Sequence, residues 1–409
     1  MNENWPLRKL GDLYEIARGG SPRPIKQYLT TEEDGVNWIK IGDATASSKY
    51  IYETKEKIKP EGVRNSRLVQ EGDFILSNSM SFGRPYIMKT KGCIHDGWLV
   101  LHPKTNDVEQ DFLFHLLGSP YAFNQFDSLA AGTCVRNLNS DLVRGVEIPV
   151  PPKEEQQRIV AILDEAFAGI ATATANAEKN LQNARELFES TLQSVFSEKG
   201  EGFESKKLGD TSILKIIDGD RGVNYPKKSD FTPEGHCLFL NTKNVRPNGF
   251  NFDTVMFVSE EKDNALRKGK LVRNDVLLTT RGTIGNLAVY DDSVSYENVR
   301  INSGMLIFRP NTNKLLPAYL FEVFRSGIMK RQITKYVSGA AQPQLPIKTL
   351  INFSIPVPNT VIAQQKIVDR LKSISAETQR LESIYQQKLT ELTELKQSLL
   401  KKAFAGELH

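Results

Sequence analysis

The sequence predicts an α/β protein made of two similar mixed α/β domains and two long antiparallel helices, arranged as a pseudo-twofold internal repeat. The chain has 409 residues, which is too long for one ordinary hydrophobic core. Its second half repeats the first, and each half ends in a long segment with a helical apolar stripe. We therefore expect a first domain at 1–153, a central helix at 154–199, a second domain at 200–358 and a C-terminal helix at 359–409.

The repeat consists of sequence blocks that return in the same order about two hundred residues later. One block, Leu68–Ser77, matches Leu271–Thr279 with one residue fewer in the second copy. The clearest other pairs are Lys9-Leu-Gly-Asp12 with Lys207-Leu-Gly-Asp210, Asp96-Gly-Trp-Leu-Val-Leu-His-Pro103 with Ser303-Gly-Met-Leu-Ile-Phe-Arg-Pro310, and Ile148-Pro-Val-Pro151 with Ile355-Pro-Val-Pro358.

Short strand-like runs, separated by clusters of Gly, Pro, Asn and Asp, predict sheets inside each half. One or two helices per half should follow, around 109–117 and 317–325. The predicted strand runs are 35–41, 74–77, 99–101, 238–240, 276–279, 288–290 and 305–308.

The two long segments carry apolar residues at alternating steps of three and four and contain no interior proline. This spacing is typical of a coiled coil, and some 42 residues make a helix about 60 Å long. We expect the two helices to pack antiparallel, and the alternative is two separate helices that each pack on their own domain. The predicted stripes are Ile159, Leu163, Ala166, Ile170, Ala173, Ala177, Leu181, Ala184, Phe188, Thr191 and Val195, and Ile367, Leu371, Ile374, Thr378, Leu381, Tyr385, Lys388, Leu392, Leu395 and Leu399.

Composition argues against several classes of protein. The apolar runs are far shorter than the ~20 residues of a membrane span, and the N-terminus has no secretory pattern, so we expect a cytoplasmic protein. Three widely spaced cysteines form neither a disulfide framework nor a zinc motif. The net charge of +4 is too small to identify a partner.

The common catalytic motifs are missing from the sequence. It contains no phosphate-binding Gly-x-x-x-x-Gly-Lys, no Gly-x-Ser-x-Gly, no His-Glu-x-x-His, no Cys-x-x-Cys and no Asn-Pro-Pro-aromatic loop of an amino-methyltransferase. The five histidines are scattered. We therefore expect no catalytic residue, no metal site and no cofactor in this chain.

Three loops in each half combine Gly with Arg, Lys, Asn, Gln, Ser and Thr beside predicted strand ends: 18–26, 77–84 and 132–138, and in the second half 218–228, 279–286 and 339–345. Hydroxyls and Lys suit phosphate oxygens, whereas Arg, Asn and Gln distinguish bases in the major groove. The candidate DNA-binding residues are Arg18, Ser21, Arg23, Lys26, Ser79, Arg84, Thr133, Arg136, Asn137, Arg221, Tyr225, Lys227, Arg281, Thr283, Gln342 and Gln344.

These loops differ between the two copies in the residues suited to reading bases. Arg136 and Asn137 in the first copy correspond to Pro343 and Gln344 in the second, while the flanking framework repeats. This difference is expected if the halves read different DNA sequences. The alternative is that surface loops are polar everywhere and diverge freely.

The chain closely resembles the specificity subunit of a type I restriction-modification system. The resemblance covers nearly all of the sequence and rests on Gly19-Gly-Ser-Pro22 ahead of Trp38–Asp43, on the repeated blocks, and on the two Ile-Pro-Val-Pro to long-helix endings. It implies target recognition domains at 1–153 and 200–358 that each read one half of a split, asymmetric DNA site. It also implies a helix pair, 154–197 and 360–404, that fixes the gap. The second copy lacks a clear Gly-Ser-Pro, so Ser21 has no certain counterpart.

The resemblance also implies partners. Two methyltransferase subunits with the S-adenosylmethionine site are expected to dock on this chain, and a restriction and motor subunit that uses ATP and Mg joins through the complex. Two other classes remain open: a coiled-coil protein scaffold, and a DNA methyltransferase or nuclease with an unrecognised site. Site-selective DNA binding separates the first from a specificity subunit, and S-adenosylmethionine binding or DNA cleavage by the isolated chain separates the second.

Overall fold

The computed structural model describes residues 5–45, 47–78, 83–130, 138–197, 202–247, 249–337 and 344–408. The chain divides into two compact units, 1–178 with 386–409, and 179–385. Each unit contains one globular part, called here the first or the second domain, together with portions of both long helices. The two units are described one at a time.

The first domain is built from short strands and short helices. Its strands are β1 (Leu7–Lys9), β2 (Tyr14–Arg18), β3 (Leu29–Thr30), β4 (Val36–Ile39), β5 (Tyr50–Ile51), β6 (Glu56–Ile58), β7 (Arg67–Val69), β8 (Phe74–Ser77), β9 (Pro85–Met88), β10 (Gly92–Ile94), β11 (Trp98–Pro103) and β12 (Glu147–Pro149). Its helices are α1 (Leu10–Leu13), α2 (Ile41–Thr45), α3 (Gln110–Leu117), α4 (Pro120–Ala130) and α5 (Ser140–Arg144), and it is followed by the long helix α6 (Lys153–Ser197).

Two sheets form the centre of the first domain. One has the strand order β2-β11-β8-β9-β5, and the other has the order β3-β6-β4-β10-β7, with β4 and β10 parallel. All four residues of β8 and the first four of β11 are buried. Strands covered on both faces need apolar residues at successive positions, which explains the unbroken runs that marked them in the sequence.

The second domain uses the same kinds of element. Its strands are β13 (Phe203–Lys207), β14 (Leu214–Asp218), β15 (Cys237–Leu240), β16 (Val245–Arg246), β17 (Gly249–Phe250), β18 (Phe257–Val258), β19 (Asp275–Thr279), β20 (Leu287–Tyr290), β21 (Val299–Ile301), β22 (Met305–Pro310) and β23 (Ser354–Pro358). Its helices are α7 (Glu260–Ala265), α8 (Pro317–Arg325), α9 (Gly327–Val337) and α10 (Ile347–Leu350), and the long helix α11 (Val361–Ala405) follows.

The topology of the second domain repeats that of the first. The sheet β14-β22-β19-β20 corresponds to β2-β11-β8-β9, and β18-β15-β21, with β15 and β21 parallel, corresponds to β6-β4-β10. In both domains the first strand pairs antiparallel with the strand that precedes the long helix, as β1 with β12 and as β13 with β23. The predicted repeat of mixed α/β domains is confirmed.

Hydrogen bonding corrects one detail of the predicted alignment. The carboxylates of Asp73 and Asp275 each accept the backbone N–H of the residue three positions earlier, at 2.7 and 2.8 Å. The residue before each aspartate, Gly72 or Asn274, has a left-handed backbone, with φ of 91° and 76°. The two copies therefore align without a gap, and the predicted loss of one residue in the second copy is wrong. Asn replaces Gly here because Asn tolerates the left-handed region better than most residues.

The long helices α6 and α11 contain 45 residues each. In the first unit they run antiparallel, because the guanidinium of Arg158 donates to the carbonyl oxygen of Leu408 at 2.7 Å while Lys396 Nζ lies 4.9 Å from the ring centre of Phe167. In the second unit the two helices meet through Arg185 and Glu382, with 3.2 Å between Nε and Oε2. Packing of the helices on each other is therefore favoured over two helices that each contact only their own domain.

The predicted apolar stripe holds along α6, where every stripe position is buried or half-buried. It is wrong at two positions of α11, because Lys388 is exposed and Leu395 keeps 46% of its surface accessible. A strict 3.5-residue repeat drifts around a helix with 3.6 residues per turn. In this part of α11 the covered leucines are the predicted Leu392 and Leu399, together with Leu389 and Leu400, which were not predicted.

Among the described residues, one helix, Lys153–Phe196 in α6, is long and apolar enough to cross a membrane by length and composition alone. Packed helices of proteins outside membranes pass the same test. In this helix Ile159 and Leu163 belong to the core of the first unit, whereas Leu192 and Phe196 belong to the core of the second.

Each core includes the last turns of a long helix. In the first unit the ring of Phe404 at the end of α11 packs edge-on against Phe112 of α3, with 5.4 Å between ring centres. In the second unit Phe196 at the end of α6 packs in the same way against Tyr319 of α8, at 5.7 Å. The C-terminal turns of α11 are therefore part of the first core, although α11 follows the second domain in the sequence.

A buried glutamine fixes the start of each long helix to the domain before it. Gln156 accepts the backbone N–H of Glu109 at 2.7 Å and donates to the carbonyl oxygen of Asp107 at 2.9 Å. Gln364 accepts the N–H of Leu316 and donates to the carbonyl oxygen of Lys314, both at 2.8 Å. An apolar substitution would leave these buried backbone groups without partners, so the helix start depends on the amide.

We predict that Phe404→Ala lowers the free energy of unfolding of the first unit by about 3–5 kcal/mol, the usual cost of removing a fully buried phenylalanine ring. All three tryptophans of the chain, Trp5, Trp38 and Trp98, lie in this unit, so denaturant unfolding followed by tryptophan fluorescence reports on it selectively. The matched control is Leu395→Ala on the same helix, which should cost less than about 0.5 kcal/mol because Leu395 is exposed. Equal midpoints for the two variants would contradict a core role for Phe404.

Candidate nucleic-acid interface

Three loops form the candidate site in each domain. Loop A is 18–26 or 218–228, loop B is 77–84 or 279–286, and loop C is 132–138 or 339–345. The predicted residues Ser79, Thr133, Arg136, Asn137 and Gln342 lie outside the described residues. The turn 95–97 of the first domain, with its counterpart 302–304 in the second, is called here the hub turn. It was not predicted as part of the site.

Backbone hydrogen bonds join the loops of the first domain to the hub turn. The N–H of Asn78 in loop B donates to the carbonyl oxygen of Gly97 at 3.0 Å, and the N–H of Leu138 at the end of loop C donates to the carbonyl oxygen of Asn78 at 3.0 Å. Loop A is bonded to the two residues that flank the hub turn, because the N–H of Gly19 donates to the carbonyl oxygen of Trp98 at 2.9 Å and that of Gly20 donates to the carbonyl oxygen of Ile94 at 3.1 Å. The described parts of the three predicted loops therefore meet at one place.

The second domain repeats this arrangement. The N–H of Thr280 donates to the carbonyl oxygen of Gly304 at 2.8 Å, and the N–H of Leu345 donates to the carbonyl oxygen of Thr280 at 3.0 Å. A further β-bridge joins Arg281 to Gln344. Two residues predicted from different loops are thus neighbours.

Glycine is required where loop A crosses the hub turn. A Cβ atom at Gly19 would lie 2.0 Å from the carbonyl oxygen of His95, and one at Gly219 would lie 2.3 Å from that of Asn302. No side chain fits at such distances. Close backbone packing therefore explains the glycine at this point in both copies, independently of the function of the neighbouring residues.

Asp96 organises the side chains of loop A in the first domain. Its carboxylate accepts the hydroxyl of Ser21 at 2.6 Å and lies 3.4 Å from the guanidinium of Arg23. Its carbonyl oxygen accepts Arg18 Nε at 3.0 Å and the amide of Asn78 at 2.8 Å. The hydrogen bond from Ser21 lowers the pKa of Asp96 below its usual value, so the carboxylate is ionised at neutral pH.

Loop A of the second domain is organised around a different carboxylate. Asp220 is buried, and it accepts the backbone N–H groups of Gly222 and Arg267, both at 2.7 Å. Burial raises the pKa of this group, but the hydrogen bonds from backbone N–H groups outweigh burial and lower the pKa overall. Arg221 lies 3.2 Å from Asp218 and donates to the carbonyl oxygen of Ser303 in the hub turn at 3.4 Å.

Most of the predicted residues that the structure describes point to solvent. Ser21, Tyr225 and Arg281 are half-buried, and the ring of Tyr225 packs edge-on against Phe239 at 5.9 Å in a small apolar cluster. Arg84 lies over the ring of Tyr86 at 5.3 Å, which fixes the direction of its guanidinium. The exposed ones are Arg18, Arg23, Lys26, Arg84, Arg221, Lys227, Thr283 and Gln344.

A concavity of about 950 Å³ lies beside loop A in the first domain. Ser21 and Arg23 of loop A, Trp38 and Lys40 at the end of β4, and Asp96 of the hub turn contribute to its walls. Lys40 and Asp96 were not among the predicted residues. The signal for Asp96 was present, because this aspartate opens a block that returns at Ser303 in the second copy.

The described residues form no group of three or more His, Cys, Asp or Glu that could hold a metal ion. Buried Asp263 forms ion pairs with Arg300 and Lys270 beside Cys237, and burial raises the pKa of the Cys237 thiol to about 12. A thiol with such a pKa is a poor nucleophile at neutral pH.

Comparisons with known proteins agree with this geometry. The family model described as type I restriction modification DNA specificity domain matches residues 2–182 and 200–392. The type I restriction enzyme MjaVIII specificity subunit of Methanocaldococcus jannaschii is 26% identical, over 91% of this chain and 86% of that protein. The EcoBI specificity subunit of Escherichia coli is 23% identical, over 100% of this chain and 87% of that protein.

The fold has a solved counterpart. A chain from a structural study of complex assembly and conformational transition of the type I R-M system superposes with a TM-score of 0.76 at 21% identity, over 100% of this chain and 99% of that one. The two family matches correspond to the two copies of the repeat and together cover most of the sequence. The protein therefore belongs to the type I restriction-modification DNA specificity family and is a specificity subunit, the part of such a system that recognises DNA and carries out no catalysis itself.

Proposed function

We propose that each domain reads one half of a bipartite, asymmetric DNA site through its loops A, B and C. The observation that supports this proposal is the hydrogen-bonded arrangement at the hub turn, which repeats between domains while the exposed side chains on it differ. A repeated frame with different side chains suits two domains that read different base sequences.

The proposed contacts divide by chemistry. Lys26, Lys227 and the hydroxyl of Thr283 suit phosphate oxygens, and these contacts hold the domain on the duplex. Ser21, whose hydroxyl donates to Asp96, supports the proposed interface by holding loop A. Arg84, Arg281 and Gln344 suit base edges, because a guanidinium or an amide makes two parallel hydrogen bonds that only certain bases match. Arg18, Arg23, Arg221 and Tyr225, together with the predicted residues outside the described ranges, complete the proposed interface.

We propose that the helix pair sets the spacing between the half-sites and provides docking surfaces for two methyltransferase subunits. A restriction and motor subunit then joins through the complex. S-adenosylmethionine, ATP and Mg belong to these partners in this proposal, and the complex acts in the cytoplasm. The proposed division into domains is 1–153 and 200–358, with helices at 154–199 and 359–409.

The first test is site-selective binding. Methylation mapping in cells that express this chain with its methyltransferase subunits identifies the site, and titration of the purified complex measures affinity for that site and for a scrambled duplex. We expect Arg281→Ala to weaken specific binding by about 5- to 150-fold, the cost of losing one two-pronged base contact. The control Lys207→Ala removes an exposed charge from β13, outside loops A, B and C, and should leave the affinity unchanged. Equal affinity of the wild-type complex for both duplexes would instead favour a protein scaffold.

Asp96→Ala should loosen loop A of the first domain. Removing a partly exposed hydrogen bond costs about 1 kcal/mol, which raises the open population of the loop about fivefold. Trypsin cleavage after Arg18 and Lys26 should accelerate accordingly, whereas Asp34→Ala, which removes an exposed carboxylate in the same domain, should not affect it. Because the folded-state pKa of Asp96 is lowered, its contribution is present at neutral pH and is lost as pH falls through that value. If Asp96 only stabilises loop A, Asp96→Ala should leave the affinity for the specific site unchanged. If Asp96 positions residues that contact DNA, the variant should bind the specific site more weakly and the scrambled duplex as before.

Helix length should control spacer length. Deleting the heptads 171–177 and 389–395 together shortens both helices by about 10 Å, or about three base pairs of DNA. These heptads lie near the Phe167–Lys396 contact in the first unit, so the antiparallel pairing can re-form after the deletion. Methylation mapping should return the same half-sites with a shorter spacer, and a full-length control with Thr172→Ala and Glu394→Ala should keep the original spacer. An unchanged spacer in the deletion variant would show that the length of the helices does not set the spacer length.

A further inference from the structure

The tip of loop A in the second domain carries an apolar side chain that is almost fully exposed. Val223 keeps 96% of its surface accessible. Single exposed apolar residues are ordinary on protein surfaces, so exposure alone does not indicate a role. The position of this valine is more informative, because it lies between Arg221 and Lys227, both of which are proposed to face DNA.

The tip that carries Val223 is held on both sides. The N–H of Gly222 donates to buried Asp220 at 2.7 Å, and the N–H of Tyr225 donates back to the carbonyl oxygen of Gly222 at 3.0 Å, which closes a turn around the valine. The side-chain amide of Asn224 donates to the carbonyl oxygen of Ala265 at 3.1 Å. An apolar group on an anchored turn loses little backbone freedom when a partner covers it.

The first domain has a different side chain at the same distance from the paired glycine. Counting from the paired Gly19 and Gly219, the fourth residue is Arg23 in one domain and Val223 in the other, and the Arg23 side chain is also highly exposed, at 81%. Loop A of the second domain is then longer by three residues, since its next 3-10 turn begins at Lys228 rather than at Ile25. The tip of loop A therefore presents a guanidinium in one domain and a branched hydrocarbon in the other.

These two groups recognise different bases. An arginine in the major groove pairs with the O6 and N7 acceptors of guanine, whereas an apolar side chain finds a partner in the 5-methyl group of thymine, which guanine, adenine and cytosine lack. We propose that Val223 is a specificity-determining residue that packs against a thymine methyl group in the half-site read by the second domain. This inference rests on the proposed function of loops A, B and C.

Deoxyuridine tests the contact directly, because it differs from thymidine only by the missing methyl group. After the recognised site has been mapped, a series of duplexes replaces each thymine of the site in turn with uracil. The purified complex of the full chain with its methyltransferase subunits is titrated against each duplex. For the wild type we expect one substitution to weaken binding about fourfold, the effect of no longer burying one methyl group.

Val223→Ala should abolish this sensitivity, so that the variant binds the thymine and uracil duplexes equally. Because Val223 is exposed, the thermal unfolding midpoint of the variant should match that of the wild type. The matched control is Val272→Ala, an exposed valine of the same domain outside loops A, B and C, which should retain the fourfold preference for thymine.

Three results would overturn the inference: no thymine in the site shows the effect, the effect persists in Val223→Ala, or the site contains no thymine. Each of them leaves the proposed function intact, provided that the wild-type complex still selects its site over a scrambled duplex. A wild type without that selectivity contradicts the proposed function itself. The scrambled duplex therefore distinguishes failure of the inference from failure of the proposal beneath it.

Discussion

The backbone hydrogen bonds at the hub turn are the constraint on which the recognition surface depends. The carbonyl oxygens of Gly97 and Gly304 each accept a backbone N–H from loop B. The carbonyl oxygen of the same loop B residue accepts a backbone N–H from the end of loop C. Main-chain atoms make these contacts, so the connections are independent of which side chains the loops carry. A frame of this kind lets base-reading residues change without loss of the loop arrangement, which is the property that a family of DNA-specificity subunits needs.

Contacts between residues that are distant in sequence complete both cores. The first core is complete only when Phe404, near the end of the chain, packs on Phe112, and the second core takes Phe196 from the end of α6. Each of these contacts joins residues that are distant in sequence and so closes a large loop of chain, which is entropically costly. Once made, they tie each long helix to a domain core at its end, while the buried Gln156 and Gln364 tie it at its start.

Sequence patterns predicted the elements and their repetition well but predicted the site less completely. Helix α8 was expected at 317–325 and is found at Pro317–Arg325, because a proline start and regular apolar spacing are local signals. The hub turn was missed as part of the site because its role depends on hydrogen bonds between segments that are far apart in sequence. Lys388 and Leu395 were placed in the stripe because the repeat was extrapolated at 3.5 residues, whereas the packing of α11 follows the true helical period. For Tyr225, the residue type suggested contact with DNA, but packing against Phe239 is visible only in three dimensions.

The divergence between the domains indicates how two copies of one frame become distinct. His115 of α3 lies 2.8 Å from Asp164 of α6, and the corresponding position in the second domain is Glu322, whose neighbours are Arg325 and Lys372. Burial is the largest influence on both groups, lowering the pKa of His115 and raising that of Glu322, and in each case nearby opposite charges oppose the shift. The titratable group on the domain helix has thus changed from a base to an acid, and the charged residue on the long helix has changed from an acid to a base, since Asp164 and Lys372 lie eight residues after Gln156 and Gln364. The two positions therefore differ in a compensating way, because a buried titratable group without an oppositely charged neighbour is costly. The exposed tips of loop A differ in another way. Arg23 pairs with Asp96 in the first domain, whereas Val223 keeps 96% of its surface accessible and Ser303 stands at the position of Asp96. Exposed loop side chains of this kind can change under selection for a new DNA sequence, while the backbone hydrogen bonds of the hub turn are retained.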